Sequence, residues 1–147
     1  MLSLISVIDL SHYLDMLEET NANLIVFRGD EIIFSSYKRG VSPLIEVIEI
    51  IGLEKLKGVV TSDRIVGKAA VLLNAYMGVS KMYALVMSKE AMRYANKFNL
   101  PYIQRETVEN ILNREGNGIC PFEQLVSKIY DPEEAYKAIK AKLESFQ

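Results

Sequence analysis

The chain has 147 residues, half of them hydrophobic and 24% charged, with a formal net charge of −2 and a pI near 5.5. This length and balance suit one globular domain spanning 1–147 and exclude a disordered chain. The lack of a basic excess argues against nucleic acid as the partner. One Cys (Cys120) and one His (His12) leave no disulfide framework and no Cys/His zinc set within the chain.

The opening residues MLSLISVIDL are apolar, but they lack a basic flank and a small-residue cleavage site, and Asp9 interrupts them. They do not read as a signal peptide. No run reaches the roughly 18 uncharged apolar residues of a spanning helix. A lone Cys suits a reducing interior, so the expectation is a soluble, cytoplasmic protein with no membrane partner.

In chain order, Leu10, Tyr13, Leu14 and Leu17 recur at helical spacing behind a cap at Asp9, which predicts a helix over 9–18. Leu24–Phe27 and Ile32–Ser35 are β-rich runs around Gly29-Asp30, which predicts a hairpin. Ser42 reads as the cap of a helix with Pro43 at its first position, running to about Ile51, where Gly52 stops it. Gly58–Thr61 reads as a buried strand, followed at once by a Ser62-Asp63 cap and a helix over 64–77 that ends at Gly78. Met82–Met87 is a second buried strand, Ser88 caps a helix over 89–98, and a third strand follows Pro101 over 102–105. Residues 107–112 suggest a short helix and 113–118 a polar loop. Cys120-Pro121 opens a helix to about Ile129, and Asp131-Pro132 caps a last helix over 132–145 with Lys toward its end. Strands and helices that alternate with short links predict βαβ units with parallel strands.

This succession resembles the cytidine-deaminase-like fold: an α/β three-layer sandwich, with a mixed sheet of about five strands and helices on both faces. Three strings resemble a small prokaryotic family of unknown function within that group. They are Asp63-Arg64-Ile65-Val66-Gly67-Lys68-Ala69-Ala70, Tyr83-Ala84-Leu85-Val86-Met87-Ser88, and Asn113-Arg114-Glu115-Gly116-Asn117-Gly118-Ile119-Cys120-Pro121-Phe122-Glu123. The resemblance covers about residues 20–130. Zinc deaminases carry His or Cys with Glu on the first core helix and Pro-Cys-x-x-Cys on the next. Here those places hold Val66-Gly67-Lys68-Ala69 and Ser88-Lys89-Glu90-Ala91-Met92. The resemblance therefore implies a deaminase-like domain without zinc chemistry; no metal and no cofactor are expected.

Two segments are left to carry function. Thr61-Ser62-Asp63 is placed by the expected boundary at a strand end and helix start, where open α/β sheets bind ligands and free N–H groups favour anions. Gly67 permits close approach, and Lys68 can reach a phosphate or carboxylate. In the plainer view, Ser62 or Asp63 caps the helix and Lys68 is solvated. In the second segment, Asn113, Arg114 and Asn117 form a polar loop able to wrap a ligand, or an ordinary turn. Cys120 stands at a helix start that would favour a thiolate, and Glu123 follows at capping-box spacing; otherwise Cys120 packs and Glu123 only caps. These residues predict a domain that binds a small polar ligand, with a nucleoside or nucleotide implied by the fold resemblance alone. The alternatives are a metal-free enzyme, with Cys120 as nucleophile or Lys68 as acid or base, and a dimeric interaction module. A homo-oligomer is expected in each case.

Overall fold

In a computed structural model, residues 12–146 are described; the expected Asp9 cap, the turn into the first helix and the signal-peptide question lie outside them. The described part of helix α1 covers 12–19. Then follow β1 (Leu24–Arg28), β2 (Glu31–Ser36), α2 (Ser42–Ile51), α3 (Leu53–Leu56), β3 (Val60–Val66) and α4 (Lys68–Met77). The chain continues through β4 (Lys81–Ser88), α5 (Lys89–Lys97), β5 (Tyr102–Val108), α6 (Pro121–Leu125) and α7 (Pro132–Glu144). Among the described residues no helix is long and apolar enough to cross a membrane.

The five strands form one sheet in the order β2-β1-β3-β4-β5. β1 pairs antiparallel with both β2 and β3, whereas β3-β4 and β4-β5 are parallel. The mixed sheet with helices on both faces is the expected α/β sandwich. Alternate residues of a strand face opposite sides, so a strand covered on both faces must be apolar throughout. In β1, Leu24 and Val26 enter the larger core under α2, α4, α5 and α7. Ile25 and Phe27 enter a smaller one with Leu14 and Leu17 of α1. Met82 and Ala84 of β4 face the larger core and Tyr83 the smaller.

Several sequence signals act as expected. Ser88 caps α5 by accepting from the Ala91 N–H (3.1 Å), and Asp131 caps α7 by accepting from the Glu134 N–H (2.9 Å). Gly78 ends α4 in the left-handed region (φ 71°), which favours glycine.

Four expectations need correction. β3 continues to Val66, so Ser62 and Asp63 lie inside a strand and do not cap a helix; α4 starts at Lys68. Residues 107–112 form no helix: β5 runs to Val108, and Leu112 bridges Ile119. α6 stops at Leu125 instead of Ile129, and Ser42 is the first residue of α2 and not its cap.

The polar run in β3 is stable as a strand because Thr61, Ser62 and Arg64 each have a partner from another element, and the Asp63 carboxyl accepts from N–H groups of β3 itself. Thr61 Oγ1 donates to Asn74 Oδ1 of α4 (2.6 Å), and Ser62 Oγ donates to the Tyr13 carbonyl of α1 (2.6 Å). Arg64 closes the end of α1. Its Nη2 donates to the carbonyls of Leu17 (2.6 Å), Ala22 (2.9 Å) and Thr20 (3.3 Å), and its Nε to Asn23 Oδ1 (3.1 Å). A cation among the unpaired carbonyls of a helix C-terminus satisfies both their hydrogen bonding and the helix dipole. Arg105 of β5 adds ion pairs to Asp15 and Glu18 of α1. Arg64→Ala is therefore expected to cost about 1.5–3 kcal/mol, the range for charged hydrogen bonds. Urea denaturation measures that loss, and limited proteolysis should cut first near α1; unchanged stability would remove Arg64 from this role.

Candidate functional site

The parallel strands β3 and β4 end beside the N-termini of α4 and α5, and α6 packs against α4. Glu123 of α6 reaches across to α4. Its Oε1 accepts from the Lys68 N–H (2.8 Å) and its Oε2 from the Ala69 N–H (2.9 Å). The first N–H groups of a helix have no partner within it, and the helix dipole makes that end an anion site. Glu123 thus caps α4 from a distance. This corrects the expected capping box, since α6 has no side-chain cap of its own.

Gly67 makes the contact possible. Its backbone (φ −107°, ψ −172°) is open to any residue, so the constraint is space alone. A Cβ there would lie 2.4–2.7 Å from the Glu123 carboxylate atoms, inside van der Waals contact.

Lys68 is the second feature. The residue is only 2% exposed. Its Nζ donates to the Ser127 carbonyl (3.3 Å) and lies 4.4 Å from the Tyr94 ring centre and 4.8 Å from that of Tyr130. The two rings stack on each other at 6.5 Å. Such faces attract an ammonium through the ring quadrupole. Among the described residues, no carboxylate lies within ion-pair distance of Lys68 Nζ. Burial holds its pKa below the ordinary lysine value, while Glu90, Tyr130 and Glu123 act in the opposite direction. Burial likewise raises the Glu123 carboxyl, against the opposing pull of the Ala69 and Lys68 N–H groups.

The structure thus joins Gly67, Lys68 and Glu123, and places the other candidates elsewhere. Thr61 and Ser62 are committed to Asn74 and to the Tyr13 carbonyl. Asp63 is buried opposite Leu24 of β1 and Ala84 of β4. Its carboxyl is held by the backbone N–H groups of Ile65 and Arg64, and burial raises its pKa from 3.8 to about 8. The polar loop closes on itself. Asn113 Nδ2 donates to Asn117 Oδ1 (2.9 Å), and the Asn117 N–H donates to Asn113 Oδ1 (3.1 Å). Arg114 is exposed on that loop.

Cys120 is half-buried ahead of α6. His12 is exposed on α1, 6.2 Å between ring centres from Phe27 of the smaller core, on the sheet face opposite α4 and α6. A Cys120–His12 pair is therefore not formed. Among the described residues, no cluster of three or more His, Cys, Asp or Glu side chains is placed to hold a metal ion. Sequence reasoning missed Ser127 and Tyr130, and it gave no ligand role to Tyr94, which lies in the larger core. The Tyr94–Tyr130 stack forms only in the fold, and only the run of small residues after Gly67 hinted at close approach there.

Comparison with known proteins places this chain in a family. No curated protein matches the chain. A solved structure that it resembles is the crystal structure of a DUF1893 family protein (TM1506) from Thermotoga maritima. The two share 27% sequence identity and a TM-score of 0.76, over 87% of this chain and 85% of that one. Residues 12–143 match the family TM1506, "Domain of unknown function (DUF1893)". With nearly its whole length matched, this chain belongs to the DUF1893 family.

Proposed function

We propose that this domain binds a small anionic ligand at the N-terminus of α4, and that Glu123 occupies the place of the ligand's acidic group when no ligand is bound. The observation that carries this reading is the Glu123 carboxylate held by the Lys68 and Ala69 N–H groups. A carboxylate or phosphate oxygen pair satisfies the same two donors. Lys68 supports the reading, since a buried ammonium with one carbonyl and two rings as partners gains from a nearby anion. Tyr130, 56% exposed beside Lys68, offers a ring face to an aromatic group. A nucleoside phosphate combines both features.

Thermal unfolding of the wild type and of Glu123→Ala, each with inorganic phosphate, adenosine or AMP, tests this. Glu123→Ala alone should melt lower, and phosphate and AMP should recover part of that loss in the variant. Adenosine should not. If neither anion moves the melting temperature of either protein, the proposed site does not take an anion of this class.

A further inference from the structure

We infer that this chain pairs with a second copy of itself through the outer face of α2, with Ile50 at the twofold axis. Ile50 is 67% exposed at the end of α2, and Leu53 just beyond it is 37% exposed. Large aliphatic side chains this exposed mark a surface that gains from being covered. A shallow cleft lies on each side, and Ile50 lines both. The first, about 550 Å³, runs between the hairpin and α3 over Ile33 and Ile51, with three cations (Arg28, Lys55, Lys57) against one carboxylate (Glu54). The second, about 370 Å³, runs between α2 and α7 over Ile45 and Leu143, with three carboxylates (Glu46, Glu49, Glu144) against two lysines (Lys38, Lys140).

The charges decide what covers this face. Lys38 pairs with Glu46 and Lys140 with Glu49, both at 2.6 Å, so the second cleft retains the charge of Glu144. Among the described residues, Arg28, Lys55 and Lys57 make no such pair. One face therefore carries a basic and an acidic cleft on opposite sides of an apolar ridge. A twofold axis through the ridge brings the basic cleft of each copy onto the acidic cleft of the other, twice over, and buries Ile50 against its counterpart. Such self-complementarity is what an isologous interface requires. The inference is independent of the α4 site, which lies on none of these residues.

Sedimentation equilibrium of the full chain tests it. The wild type should be a dimer that weakens with salt. Ile50→Glu should raise the dissociation constant at least about tenfold, the equivalent of about 1.4 kcal/mol. Lys55→Glu/Lys57→Glu and Glu49→Lys/Glu144→Lys should each weaken self-association, and an equimolar mixture of these two variants should restore dimers. All are exposed or half-buried positions, so circular dichroism melting should show the variants folded. A monomeric wild type overturns the inference, as does a dimer that Ile50→Glu leaves intact or a mixture that fails to associate.

Discussion

Gly67→Ala should destabilise the protein by about 2–4 kcal/mol, and nearly all of that loss should come through Glu123. The new methyl group would meet the Glu123 carboxylate at 2.4–2.7 Å. The colliding atoms are the far end of a flexible side chain, so the fold survives and Glu123 swings away. What is lost is a pair of charged hydrogen bonds to the Lys68 and Ala69 N–H groups, each contributing about 1.5–3 kcal/mol before the side chain regains its freedom in water. Glu123→Ala removes the same bonds by another route. The double variant should therefore be about as stable as either single one, a coupling that a double-mutant cycle in urea reads directly. Additive losses would mean that the two residues act separately, and a neutral Gly67→Ala would mean that the carboxylate is not where its hydrogen bonds place it.

Asp63 should make stability fall as pH rises. Its carboxyl is buried among apolar neighbours and its pKa is lifted from 3.8 to about 8. Between those two values the folded chain keeps a proton that the unfolded chain has released. The stabilisation is thus complete below about pH 4 and is lost as pH climbs through about 8, with a slope of at most about 1.4 kcal/mol per pH unit. Glu123, also raised by burial, adds a dependence of the same sign. Asp63→Asn keeps an oxygen to accept from the Ile65 and Arg64 N–H groups but does not ionise. The variant should lose most of the slope and overtake the wild type at alkaline pH. Urea midpoints at about pH 5, 7 and 9 measure this; parallel curves for the two proteins would show that Asp63 does not carry the proton.

Much of the fold was legible from local signals. The hairpin around Gly29-Asp30, the buried β4, and the caps at Ser88 and Asp131 each rest on a few adjacent residues, and each lies where those residues point. The errors at β3 and at Glu123 share one cause. Thr61-Ser62-Asp63-Arg64 looks like a strand end followed by a cap, because four polar residues in a row have no local reason to be buried. For Thr61, Ser62 and Arg64 the reason is distant: Asn74, the Tyr13 carbonyl and the end of α1 supply the partners. Glu123 repeats the lesson. Its spacing from Cys120 suggests a cap for its own helix, while its carboxylate serves α4, 55 positions earlier in the chain. Asn113 and Asn117 had the right chemistry for a ligand, but they spend it on each other. The grouping of Gly67, Lys68 and Glu123 has no signature in spacing, since tertiary packing alone brings α6 to α4.

The most direct test watches the two donors themselves. In ¹⁵N-labelled Glu123→Ala, the Lys68 and Ala69 amides are freed from their carboxylate, and AMP or inorganic phosphate is titrated in while their resonances are followed. These two amides should shift downfield and saturate together, as N–H groups do on donating to an anion. Resonances that stay in place in a folded variant, or that move no more than those of distant surface amides, would contradict it.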